Sequence, residues 1–115
     1  MKTVTAEQYR KMTSGSKYHN VKTKVDGITF DSKAEARRYE ELKLLKMAGE
    51  ILNFKTQPSF RFDSGVRYRP DFIVWNADGT CHVEDVKGME TADFKIKKKT
   101  WEHEYPQLPL RVVKG

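Results

Sequence analysis

The chain has 115 residues, enough for one domain but not for two with separate cores. Lys and Arg number 22 against 16 acids, a formal net charge of +6 that favours a polyanionic partner, nucleic acid before membrane. A lone Cys81 excludes an internal disulfide framework and any multi-cysteine zinc site, and the three histidines have no ligand spacing. No apolar run reaches the length of a membrane span, and the first 16 residues lack a signal-peptide core, so a cytoplasmic protein is expected.

Residues 1–20 read as a polar, basic arm broken by Ser14, Gly15 and Ser16, and residues 21–115 as a single domain. Val21–Val25, a turn at Asp26-Gly27, and Ile28–Phe30 predict a hairpin. Ser32 followed by Glu35 is the signature of a capped helix start. That helix is predicted to run to Ala48 and to stop at Gly49, where a left-handed backbone suits glycine. Strands are expected over Phe54–Phe62, with Pro58 marking an edge or bulge, over Val66–Trp75 after the Asp63-Ser64-Gly65 turn, and over Thr80–Lys87. A second helix over Thr91–Glu104, ended by Pro106, and a last strand over Leu108–Val113 complete the chain. The order after the hairpin is α-β-β-β-α-β, an α+β domain with one central sheet flanked by helices.

The chemistry gathers around two strands. On Thr80–Lys87 alternate side chains share a face, so Asp85 and Lys87 point the same way. A carboxylate and an ammonium side by side at a strand end can hold a dication and polarise a phosphate; the bland alternative is a surface ion pair. Asp71 stands near the start of the apolar run Phe72–Trp75, where an acid is costly unless paired or bound to metal. If Ala77-Asp78-Gly79 forms a three-residue loop with Gly79 left-handed, Asp71 faces Asp85; a four-residue loop puts Glu84 there instead. The bulged loop is preferred because it uses Gly79. At helical periodicity Glu35 shares an arc with Tyr39 and Leu42, the residues expected to pack on the sheet. Glu35 is therefore either the acid of a capping box or the third carboxylate of an oxygen-rich site for Mg²⁺ or Mn²⁺.

Pro70-Asp71, thirteen intervening positions, then Asp85-Val86-Lys87 resembles the PD-(D/E)XK nuclease signature. Glu35 stands where that superfamily usually carries an acid on its first core helix, and about 80 of the 115 residues follow the same element order. The segments Lys17-Tyr18-His19-Asn20, Gly27–Glu35 and Glu84–Gly88 further resemble small phage and prophage endonucleases described as Holliday-junction-resolvase-like. The resemblance implies a restriction-endonuclease-like core with a mixed sheet, and a metal-dependent endodeoxyribonuclease of phage DNA metabolism working in the host cytoplasm. It further implies Glu35, Asp71, Asp85 and the backbone carbonyl of Val86 as ligands of Mg²⁺ or Mn²⁺. Lys87 would orient water or offset charge on the phosphate; with carboxylates beside it, the charge role is favoured over that of a base.

Beside such a site Lys95, Lys97, Lys98 and Lys99 on the second helix read as phosphate contacts, while Phe94, Trp101 and Tyr105 read as core. Lys17, Tyr18, His19 and Asn20 on the arm, with Lys33 and Arg37 on the first helix, are further candidates for DNA contact, and Lys22, Lys24 and Arg38 extend that basic wall. Gln57 is either a polar member of the site or a backbone cap near the bulge. So short a chain has little room for base reading, which favours branched DNA recognised by shape, and symmetric cutting of two strands requires a homodimer. Two other functions stay open: a non-catalytic nucleic-acid-binding module, and a phage-encoded protein that docks on a host factor.

Overall fold

A computed structural model describes residues 21–115; the arm 1–20, with Lys17, Tyr18, His19 and Asn20, lies outside the described residues. The chain divides into two compact units, Met1–Arg37 and Arg38–Gly115. In the first, β1 (Thr23–Val25) pairs antiparallel with β2 (Ile28–Phe30). Asp26 and Gly27 both take positive φ, 52° and 78°, as a two-residue turn matched to strand twist requires. Helix α1 (Lys33–Met47) begins here. Ser32 Oγ accepts the Glu35 N–H at 3.1 Å, and the Glu35 carboxylate accepts the Asp31 N–H at 3.1 Å. Ser32 thus caps the helix as expected, while the Glu35 carboxylate takes the Asp31 N–H rather than the Ser32 N–H of the expected capping box.

In the second unit α1 ends as expected, with Gly49 at φ 77°. Glu50 N–H bonds the Leu45 carbonyl at 3.0 Å and Gly49 N–H that of Lys46 at 3.1 Å, a Schellman pair that satisfies the last carbonyls. Four strands follow in one mixed sheet of order β3-β6-β7-β8: β3 (Ile51–Thr56), β6 (Phe72–Asn76), β7 (Cys81–Lys87) and β8 (Leu110–Lys114). The first three run antiparallel, and β8 returns parallel to β7 after helix α2 (Ala92–Glu104), as a helical crossover allows. Thr91 caps α2 by accepting the Phe94 N–H.

Two predicted strands are broken. Phe54–Phe62 splits into β3 and β4 (Phe60–Arg61), and Val66–Trp75 into β5 (Arg67–Tyr68) and β6. The breaks fall at Gln57-Pro58 and Pro70, because proline offers the ladder no N–H and Gln57 turns the chain at φ 52°. The freed halves β4 and β5 pair as a separate ribbon. The last strand begins at Leu110 rather than Leu108; the intervening Pro109 carbonyl instead receives the Val83 N–H at 2.8 Å.

The pleat of β7 organises the unit. Val83 faces α2, in a core of Phe62, Tyr68, Phe94, Trp101 and Leu110. Trp101 is fully buried, meets Phe60 edge-on at 4.8 Å and donates its indole N–H to the Leu108 carbonyl at 2.6 Å. Phe94 and Trp101 are therefore core, and Tyr105, half-buried, stacks on Trp101 and bonds the Arg61 carbonyl. On the other face Tyr39 of α1 packs on Phe54, and Phe54 on Phe72. Residues 38–115 thus form three layers, helix, mixed sheet and helix, the α+β architecture expected. Among the described residues no helix is long and apolar enough to cross a membrane.

Candidate functional site

The β6–β7 hairpin decides where the acids meet. Gly79 is left-handed at φ 89°, Asn76 N–H bonds the Thr80 carbonyl at 2.8 Å, and the strands pair Trp75 with Cys81 through to Phe72 with Glu84. That is the register expected of the bulged loop, and its paired residues end at Phe72, one short of Asp71. The geometry there is tight. Asp71 N–H bonds the Glu84 carbonyl at 2.9 Å, and Asp71 Oδ2 accepts the Val86 N–H at 2.7 Å. Gln57 N–H in turn bonds the Asp71 carbonyl at 2.7 Å, so the left-handed turn before Pro58 anchors the Asp71 backbone.

Asp85 is 3% exposed, and its Oδ2 accepts the hydroxyl hydrogen of Tyr68. Burial first, then the charges of Asp85 and Asp71, push the Tyr68 phenol far above its ordinary range. The phenol therefore keeps its proton and donates it to Asp85. Lys87 Nζ lies 3.4 Å from Asp85 Oδ1 and 4.9 Å from the centre of the Phe94 ring, so the ammonium is held between a carboxylate and an aromatic face. The donors assembled here are carboxylate oxygens, hard ligands that fit Mg²⁺ or Mn²⁺ and not a thiolate- or imidazole-seeking ion. Burial pushes the Cys81 thiol up, away from the range of an activated nucleophile.

Asp71, Asp85, the Val86 backbone and Lys87 are thus brought together within one unit. Glu35 belongs to the first unit, where it is 3% exposed and caps α1. Among the described residues no three His, Cys, Asp or Glu side chains form a ready metal cluster. Of the expected DNA contacts, Lys33 and Arg37 are exposed on α1, Lys95 and Lys99 are exposed on α2, and Lys97 and Lys98 are half-buried. Lys97 also pairs with Asp93 at 3.4 Å.

Arg38 does not belong to the basic wall. Its Nε and Nη2 each lie 2.8 Å from a different oxygen of Glu84, a bidentate pair on the face of β7 opposite Asp85. His82 Nε2 is 2.8 Å from Glu84 Oε2. Burial works to raise the Glu84 pKa, but the bonds from Arg38 and His82 together outweigh it and hold the carboxyl at about 2. The same bond to Glu84 raises Arg38 above its ordinary value against the pull of burial. Tyr68 and this cluster were missed from the sequence. The available signal was the alternation of β7, which sets His82 and Glu84 on a face that a doubly covered strand must bury.

The fold and site define a small α+β domain whose two central strands present an acidic pair flanked by a lysine. Residues 15–115 match DUF1064, described as a protein of unknown function, and the chain belongs to that family. No curated protein and no solved structure matches it.

Proposed function

We propose that this protein is a metal-dependent DNA endonuclease with a restriction-endonuclease-like core, acting on branched DNA as a homodimer. The observation that carries the reading is that Asp71, just before β6, takes the Val86 N–H on its carboxylate, next to Asp85 and its ion pair with Lys87. The order α1-β3-β6-β7-α2-β8 supports it, since it is that of the PD-(D/E)XK core the sequence resembles. Asp71 and Asp85 would hold Mg²⁺ or Mn²⁺, with the Val86 carbonyl as the further ligand of this unit that the resemblance implies. Mg²⁺ is commonly held by one or two carboxylates together with substrate phosphate, so a pair of acids suffices to begin the site. When bound, such a cation supplies charge stabilisation to the attacked phosphate and makes water a better nucleophile. The protein's part is positional. The Val86 N–H orients Asp71, the Tyr68 hydroxyl orients Asp85, and the Lys87 ammonium offsets charge on the phosphate. Lys95, Lys98 and Lys99 would take the backbone of the duplex arms.

One observation favours a second reading, a nucleic-acid-binding module without catalysis. Asp85 is already engaged by Tyr68 and Lys87, as a structural acid would be. Cleavage of a labelled four-way junction beside linear duplex, single strand and flap, in Mg²⁺, Mn²⁺ or EDTA, separates the two. Metal-dependent cutting of the junction by the wild type and not by Asp85→Ala is the expected result. Equal cutting of all four substrates keeps the nuclease and removes the branch preference. Salt-sensitive binding without cutting selects the binding module.

A further inference from the structure

The nuclease reading leaves one buried group of polar side chains unused: Arg38, His82 and Glu84, behind the acidic pair. Glu84 is 2% exposed and His82 3%. His82 Nδ1 lies 2.9 Å from Asn76 Nδ2, and that amide is also 3.2 Å from Thr80 Oγ1. With the amide donating to Nδ1, the imidazole proton sits on Nε2 and is given to Glu84. Among the described residues no buried side-chain nitrogen or oxygen lacks a partner, so the network is fully satisfied. It joins α1, the end of β6 and the middle of β7.

Glu84 has a second role through its backbone. Its carbonyl receives the Asp71 N–H at 2.9 Å, its neighbour Asp85 supplies the other acid, and Val86, two residues on, bonds Asp71 Oδ2 at 2.7 Å. The residue clamped on the rear face is therefore the one on which the front-face pair is registered. A satisfied ion pair of this kind is seldom a gain in stability over well-packed apolar side chains, whereas it does hold one geometry. We propose that Glu84, gripped by Arg38 and His82, is a positioning residue that sets the separation of Asp71 and Asp85. The consequence for catalysis rests on the nuclease reading; the positioning itself does not.

The test compares the wild type with the apolar replacement Arg38→Met/His82→Leu/Glu84→Leu and with Arg38→Lys, which keeps the charge but loses the fork. Amide hydrogen exchange at Val86 reports the bond to Asp71 directly and needs neither metal nor DNA. The expected result is a replacement variant that melts no lower than the wild type yet exchanges Val86 at least about tenfold faster, with Val83 still protected. Mn²⁺ affinity, read by calorimetry, should fall by about tenfold to a hundredfold, as when groups behind a ligand are removed. In cleavage the loss should fall on kcat and leave KM for DNA unchanged. If the triple variant does not fold, Arg38→Lys carries the same exchange measurement, with a smaller rise at Val86 expected. A folded variant with wild-type protection at Val86 overturns the positioning role. A wild type that neither binds Mn²⁺ nor cuts, with Val86 still responding to the substitutions, overturns the nuclease reading alone.

Discussion

The two faces of β7 carry two acids side by side in sequence, Glu84 and Asp85, buried to almost the same degree, 2% and 3% exposed. Their surroundings differ sharply. Glu84 has a bidentate guanidinium and an imidazole, all at 2.8 Å, and its pKa is held at about 2. Asp85 has a phenol and an ammonium at 3.4 Å whose charge also rests on an aromatic ring. One carboxylate is held by a fork and an imidazole, the other by a phenol and an ammonium near the end of a strand. The contrast teaches that two acids equally buried can be held by quite different partners.

Substitutions on the two faces should therefore separate activity from stability. The largest effect is expected on the Asp85 face. Asp71→Ala, Asp85→Ala and Lys87→Ala should each lower metal-dependent cleavage by about a thousandfold or more, read as single-turnover rates. Asp85→Asn should lose the same activity and cost about 1–3 kcal/mol in urea unfolding, since it removes the charge that takes the Tyr68 hydroxyl and pairs with Lys87. A variant that cuts at the wild-type rate would break the comparison on the Asp85 face.

On the Glu84 face the order is reversed. Arg38→Met leaves a buried carboxylate without its fork and should cost about 3–5 kcal/mol, measured by urea unfolding. The pH dependence has a definite sign. Because the folded pKa of Glu84 lies at about 2, below its ordinary 4.5, its contribution is fully present above the ordinary value and is lost as pH falls through about 2. That contribution is on the order of 3 kcal/mol, and unfolding measured from about pH 5 to about pH 2 should show a slope that disappears in the apolar replacement variant. Smaller effects lie away from both faces. Ser32→Ala removes the cap of α1 and should cost about 1 kcal/mol in the same assay. Lys98→Ala and Lys99→Ala should each reduce the salt slope of DNA binding by about 1 without moving the melting temperature.

Much of this arrangement was legible before the fold was known, for reasons that differ by residue. Asp26-Gly27, Ser32 with Glu35, Gly49 and Gly79 act over two to five positions, where backbone sterics and one hydrogen bond decide the outcome. Gly79 in particular sets the register down the hairpin to Phe72 and Glu84. Of the two prolines, Pro58 reads from sequence as an edge or bulge, which is too weak, and Pro70 lies inside what reads as one continuous strand. Gln57-Pro58 and Pro70 end strands outright, and the ribbon β4–β5 that results is what brings Tyr68 to Asp85. Nothing local in Arg67-Tyr68 announces that contact.

Arg38 is the clearest case of a residue whose neighbourhood in sequence misleads. Beside Lys33 and Arg37 it reads as one more charge on a basic face, yet its partner Glu84 lies 46 positions away. Alternation along β7 and periodicity along α1 specify which side chains turn inward, because each element presents its faces at a fixed repeat. Which inward side chain meets which depends on how helix and sheet stack, a matter of non-local packing that no spacing within either element contains. Element order, turn positions and the β6–β7 register thus follow from local chemistry. The closed partnership of Glu84 and the phenol on Asp85 exist only because the tertiary fold brings distant segments into contact.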